Sequence, residues 1–263
     1  MKKILLLVAL VALAWNASAW SKNQDEGVVI LATNYLTPKA KSVVENYLGT
    51  SYSDDVAYLV ELEKNKMNTY SKEVHYLHLD ASLQPASSDS NDAFRAIEES
   101  LAIVATRDSR SKEEVTAALR TVINLMCDMH YLSKVRIEGV EHSYKNFNVY
   151  CQANASGKNA EVYNRVQWSK FWDTYAKYHK GFFGQLWADD MAIRFGDRYE
   201  EFSKGNLRDW AQLNGEKAAQ LYVRFTPECQ ISRIERLRLE ELHYEMMGRA
   251  GMRLAKLLNE AIK

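Results

Sequence analysis

The chain has 263 residues, and its 34 Lys and Arg balance its 34 Asp and Glu, so the formal net charge is zero. A balanced charge excludes the strongly basic footprint with which proteins bind long nucleic acids through their phosphates. With 47% hydrophobic residues, the chain is long enough to bury the core of one large domain.

The first segment has the features of a secretory signal peptide. Two lysines precede an apolar run over residues 4–14, and small residues follow up to Ala19. The run is too short to span a membrane, and no later stretch approaches about 20 uninterrupted apolar residues. We therefore expect a signal peptide over 1–19, cleavage between Ala19 and Trp20, and one secreted or periplasmic domain over 20–263 without a transmembrane segment.

Helices dominate the prediction for the rest of the chain. Only three prolines occur, glycine is sparse, and apolar residues recur with the period of a helix. Thr37 is the predicted N-cap of the second helix, and Gly248 and Gly251 are expected to allow close helix contact. The predicted helices cover 28–35, 38–48, 91–106, 112–132, 166–178, 189–202, 206–225 and 230–262, with loops at 80–91 and 152–159. The pattern predicts an all-α fold with a single multi-helix domain.

The three cysteines make an odd set. Cys127 lies in an apolar helical run, whereas Cys151 and Cys229 do not. In an oxidising compartment, Cys151 and Cys229 are therefore the expected disulfide pair.

Several histidines and aspartates have the chemistry of a metal site. His75 and His78 are three residues apart, Asp128 and His130 end the helix over 112–132, and Asp173 follows a tryptophan. Imidazole and carboxylate oxygen together suit zinc. Each residue taken singly also fits a structural role, because a histidine near an apolar run is usually hydrogen-bonded and an aspartate often caps a helix. Their spacing alone does not establish a metal site.

Five segments resemble, in the same order, motifs of one known family. They are Trp20 with Thr37-Pro38, Val74-His75-Tyr76, Ala118 through Lys134, Trp168 through Asp173, and Gly251 through Asn259. The family is that of the zinc-dependent single-strand-specific nucleases of fungi and the bifunctional nucleases of plants, in a superfamily shared with bacterial zinc phospholipases C. The resemblance spans the chain after the signal peptide. It implies a largely helical phospholipase C/nuclease fold that holds three zinc ions in a cleft.

The resemblance also implies which zinc ligands remain. Trp20, His75, Asp128 and Asp173 stand at retained ligand positions. Five of the nine ligand positions are substituted, and they hold Asp25, Lys64, Asn124, Lys134 and Ser169. The family's arginine that supports charge at the scissile phosphate is replaced by Met67.

Two of the substitutions are lysines, and these decide the interpretation. A protonated lysine has no lone pair for a metal and repels a dication. Without zinc, the carboxylates of Asp128 and Asp173 would be buried anions, which is costly. Lys64 and Lys134 would supply the missing positive charge, so we expect no cofactor.

Three functions remain open from the sequence. The first is a catalytically inactive nuclease-family member kept as a binding or scaffold protein. The second is an active phosphodiesterase or nuclease with a reduced site that holds one zinc ion. The ligands of that ion would be Trp20, Asp25, His75 and Asp128, with His78 or His130 able to join after a small shift. The third is an unrelated exported helical binding protein.

Tyr76 bears on the unknown partner of this protein. It occupies the position of a ring that stacks a nucleobase in the family, so a residual pocket could bind a nucleotide or single-stranded nucleic acid. Packing of Tyr76 in the core is the alternative.

Overall fold

The computed structural model describes residues 22–49, 72–86, 91–152, 162–172 and 183–263. The predicted signal peptide, Trp20, Lys64, Met67 and Asp173 lie outside these ranges. The described part is mostly helical, as the sequence predicted. Its helices are α1 (Lys22–Thr33), α2 (Pro38–Leu48), α3 (Ala93–Ala105), α4 (Lys112–His130), α5 (Trp168–Phe171), α6 (Gly184–Phe195), α7 (Tyr199–Phe202), α8 (Leu207–Arg224) and α9 (Arg233–Ala261).

Local sequence explains where several of these helices begin. The Thr37 side chain accepts the Ala40 N–H, which confirms the predicted cap of α2. Capping boxes start α4, α8 and α9, in each case with an acidic residue three positions after the cap. Reciprocal hydrogen bonds of this kind satisfy backbone N–H groups that the first helical turn leaves without a partner.

Two small sheets accompany the helices in the described ranges, so the all-α prediction is incomplete. In the first sheet β1 (Leu77–Leu79) pairs in parallel with β2 (Val135–Ile137). In the second, β3 (Asn148–Gln152) lies between antiparallel β4 (Tyr163–Gln167) and parallel β5 (Gln230–Ile231). Strands of two to five residues are too short for a clear alternating pattern, which is why the sequence did not predict them.

Two predicted helices were wrong in their bounds, for different reasons. The helix expected over 166–178 starts inside β4 and keeps only the single turn α5 among the described residues. The helix expected over 189–202 is two helices, α6 and α7, joined by a 3₁₀ turn at Gly196–Arg198.

The core forms around α4, in which every residue from Thr121 to His130 is buried. Helix α3 packs on α4, and α1 packs between α6 and α9. A Cβ added at Gly251 would lie 2.9 Å from the Val28 carbonyl oxygen, and one at Gly248 would lie 2.9 Å from the Phe195 ring. The predicted close helix contacts at these two glycines are thus confirmed.

None of the described helices combines the length and the apolar character that crossing a bilayer requires.

Candidate functional site

Three predicted site residues meet where α4 ends. Asp128 lies in the last turn of α4, and the chain then passes through a 3₁₀ turn (Leu132–Lys134) into β2. His75 ends another 3₁₀ turn (Lys72–His75) that leads into β1. Because β1 and β2 pair in parallel, their leading segments lie side by side. The pairing therefore brings His75 and Lys134 to the carboxylate of Asp128.

The contacts at Asp128 are short and buried. The Lys134 Nζ donates to Asp128 Oδ1 at 2.6 Å, and the His75 Nδ1 lies 2.5 Å from Asp128 Oδ2. Asp128 is fully buried, the Lys134 side chain is 7% exposed and the His75 side chain is 16% exposed. An ammonium group thus offsets the charge of a carboxylate that water does not reach. The carboxylate also fixes the orientation of the His75 ring, because an ionised carboxylate only accepts hydrogen bonds.

This arrangement does not fit a zinc ion at Asp128. The ammonium of Lys134 already occupies one carboxylate oxygen, and it has no lone pair to offer a metal. Within the described ranges, no three His, Cys, Asp or Glu side chains come together as they would around a metal, so Asp25 does not join His75 and Asp128 in such a group. Trp20, Lys64 and Asp173 lie outside the described residues, and their predicted roles stay predictions.

Three of the substituted positions lie in well-packed surroundings. Asp25 is buried in α1, next to Gln24, whose side-chain amide lies 2.7 Å from His243 Nε2. Asn124 is buried in α4, one turn before Asp128. The backbone carbonyl of Ser169 in α5 accepts the Tyr131 hydroxyl at 2.6 Å.

His130 was a possible extra zinc ligand, and the structure rules against that role. Its Nδ1–H donates to the Met126 carbonyl at 2.8 Å, and its Nε2 accepts from Arg253 at 2.9 Å. Both ring nitrogens are therefore engaged, and the ring is fully buried. Burial, followed by the nearby Arg253 charge, holds the pKa of His130 well below its usual value.

This neutral histidine predicts a pH-dependent stability. Unfolded His130 takes up a proton near pH 6.5, whereas the folded ring resists it, so stability is full above about pH 6.5 and is lost as the pH falls below it. One such proton lowers the free energy of unfolding by about 1.4 kcal/mol per pH unit. We expect the free energy of unfolding, measured with urea at pH 7, 6 and 5, to fall with this slope. In H130Q the slope should be smaller by the contribution of one proton. An unchanged slope in H130Q would contradict the prediction.

A second group of side chains lies on the outer side of β1 and β2, near the contacts of Asp128 with His75 and Lys134. Leu77 and Leu79 of β1 point into the core, which leaves His78 between them on the outer side. Arg136 is the direct partner of His78 in β2. Its guanidinium lies 3.5 Å from the centroid of the Tyr76 ring and forms an ion pair with Glu73.

Sequence reasoning placed Tyr76 near the site but missed Arg136 and Glu73. Tyr76 is half-buried, with Arg136 covering one face of its ring. The signal available was the alternation of apolar and polar residues in 77–79 and 135–137. Three residues are too few for that alternation to predict a strand.

No family model matches the chain, and no curated protein matches it.

The predicted disulfide is absent, and the strand register explains why. Neither Cys151 nor Cys229 forms a disulfide bond. Cys151 in β3 is opposite Ile231, two residues beyond Cys229. Regular strand spacings place such diagonal Cα atoms about 8 Å apart, more than a disulfide spans. Burial also raises the pKa of the Cys151 thiol to about 12, which keeps it protonated and unreactive.

Proposed function

We propose that this chain is a secreted or periplasmic member of the zinc-dependent single-strand nuclease family that has lost its metals and its catalysis. In this proposal it keeps the phospholipase C/nuclease fold and acts as a binding or scaffold protein. The observation that carries the proposal is the 2.6 Å contact between the Lys134 ammonium and the buried Asp128 carboxylate. The resemblance assigns both residues to former zinc-ligand positions.

Charge explains why the substitution would exclude zinc. A dication about 4 Å from an ammonium is repelled by about 8 kcal/mol at an effective dielectric of about 20. The lysine also satisfies the carboxylate that a zinc ion would otherwise neutralise. The pair of His75 with Asp128 supports the same ancestry, since two ligands of one metal cluster would lie close together.

The main competing function is a phosphodiesterase with one remaining zinc. It would use the amine of Trp20 with Asp25, His75 and Asp128. The hydrogen bonds of the His130 ring remove one of the two histidines that could have joined these ligands, and the Lys134 contact opposes the use of Asp128.

Metal content separates the two functions. We expect the mature chain, cleaved before Trp20 and purified without chelator, to contain no zinc by elemental analysis and to leave single-stranded DNA intact in zinc buffer. K134H restores an imidazole at a ligand position and is expected to gain zinc affinity, whereas K217H, at a partly exposed ion pair, is the control. One zinc per wild-type chain, together with chelator-sensitive cleavage, would overturn the proposal.

The proposed binding role also suggests a ligand. Tyr76 is the residue proposed to contact a nucleotide or single-stranded nucleic acid. Because Arg136 covers one face of the Tyr76 ring, a base would stack on the other face or displace the guanidinium.

A further inference from the structure

The outer face of β1 and β2 holds one arginine in a fixed position. Strand pairing places Arg136 beside His78, and the Tyr76 ring lies flat against the guanidinium. The ring of Tyr144 is on the same side, with its centroid 5.6 Å from the guanidinium carbon. Stacking on aromatic rings orients the planar guanidinium before any ligand arrives, which lowers the entropy cost of binding.

Two buried nitrogen atoms of this face lack a hydrogen-bond partner. Among the described residues, the buried Arg136 Nε and the buried His78 Nε2 make no hydrogen bond. One carboxylate oxygen, Glu73 Oε2, pairs with Arg136 Nη1 and lies 3.4 Å from His78 Nε2. A distance of 3.4 Å is longer than an ordinary hydrogen bond. A single carboxylate oxygen therefore lies near both Arg136 and His78. An anion with several oxygens could contact each of these side chains through a different oxygen.

We propose that this face binds a small oxyanion, a phosphate or a carboxylate, through Arg136 at the place that the Glu73 carboxylate occupies in this structure. The parallel N–H groups of a guanidinium can donate to two oxygens of a phosphate or to both oxygens of a carboxylate. Tyr76 and Tyr144 would border the ligand, and His78 would contact it from the neighbouring strand.

Glu73 then acts as an internal competitor. Its side chain is 46% exposed, in contrast to 13% for Arg136, so the carboxylate can leave while the arginine stays in position. A ligand that replaces Glu73 would pair with the same guanidinium, so the exchange does not leave Arg136 without an anion. The nearby Asp92 does not take this role, because its oxygens accept the backbone N–H groups of His78 and Arg95.

The proposal does not depend on the nuclease resemblance. It uses the strand pairing, the stacked guanidinium and the Glu73 contact, and its two central residues, Arg136 and Glu73, are not predicted zinc ligands. Finding zinc in the wild-type chain would not contradict anion binding at Arg136. Finding no anion binding at Arg136 would not contradict a metal-free function.

Titration of the ¹⁵N-labelled full mature chain tests the proposal. Inorganic phosphate and, separately, acetate are added while the Arg136 Nε–H signal is followed. We expect the Arg136 signal to move, and E73Q to bind at least about tenfold tighter because the competing charge is gone. R136Q is expected to lose binding, and R136K, which keeps the charge without the parallel N–H groups, to bind more weakly than wild type. The tighter of the two anions identifies the source, a phosphate ester or a carboxylate.

The matched control is E228Q. Glu228 forms a pair with Arg165 on the other sheet in which both side chains are about half exposed, so its loss should not change binding at Arg136. Equal affinity of E73Q and wild type, or shifts that leave the Arg136 signal in place, would overturn the proposal. Thermal unfolding of each variant separates loss of binding from loss of fold.

Discussion

Lys134→Met is expected to lower the free energy of unfolding by about 3–5 kcal/mol, the cost of removing one partner from a buried ion pair. The methionine fills a similar volume, so packing changes little. The Asp128 carboxylate, however, loses the ammonium that lies 2.6 Å away in a site that water does not reach. Urea unfolding at pH 7 measures the loss directly.

A second lysine provides the control for this experiment. Lys217 pairs with Glu245 at 3.2 Å, with both side chains about a quarter exposed. Lys217→Met should cost at most about 1 kcal/mol, because solvent screens that pair. The double variant D128N/K134M should recover part of the loss, since the side chain that lost the ammonium then carries no charge. A K134M variant no less stable than K217M would show that Lys134 does not balance Asp128.

Gly27→Ala is the second substitution with a large expected effect. Gly27 lies in α1 where that helix meets α6, and an added Cβ would be 2.5 Å from the Trp187 Cβ and 3.1 Å from the Gly184 carbonyl oxygen. Alanine gains up to about 1 kcal/mol of helix propensity, but pushing two backbones apart costs more. We expect a net loss of about 1–3 kcal/mol in the free energy of unfolding.

Gly196→Ala is the matched control because it changes the same atoms in an open setting. A Cβ there would lie 3.6 Å from the Tyr35 hydroxyl, which is an ordinary contact. We expect this variant to be as stable as wild type or slightly more stable. If both alanine variants unfold at the same urea concentration, the contact between α1 and α6 is looser than described.

The helical part of the fold was predictable because its signals are local. The Thr37 side chain caps α2 by accepting the N–H of Ala40, three residues further along the chain. The side chains of Ser111 and Glu114 bond reciprocally across the first turn of α4. Helix ends that depend on packing against other elements were harder to predict from the sequence. Helix α1 starts at Lys22, six residues before its predicted start, in a polar stretch that packing against α6 holds in place.

The candidate site was predictable only in part. The resemblance singled out His75, Asp128 and Lys134, which the structure brings into contact, although their proposed roles remain to be tested. The roles of Arg136 and Glu73 could not be read from the sequence. These two residues are 63 positions apart and meet only through the pairing of β1 with β2.

Sequence alone therefore determined that most of the described chain is helical and that Thr37 caps α2, because periodicity and short-range hydrogen bonds act within one or two turns. Tertiary structure alone decided the two sheets, the engaged ring of His130, the separation of Cys151 from Cys229 and the stacked arginine. Each of these depends on where distant segments meet. That meeting is set by burial of the α4 core and by backbone pairing between strands too short to leave a pattern of their own.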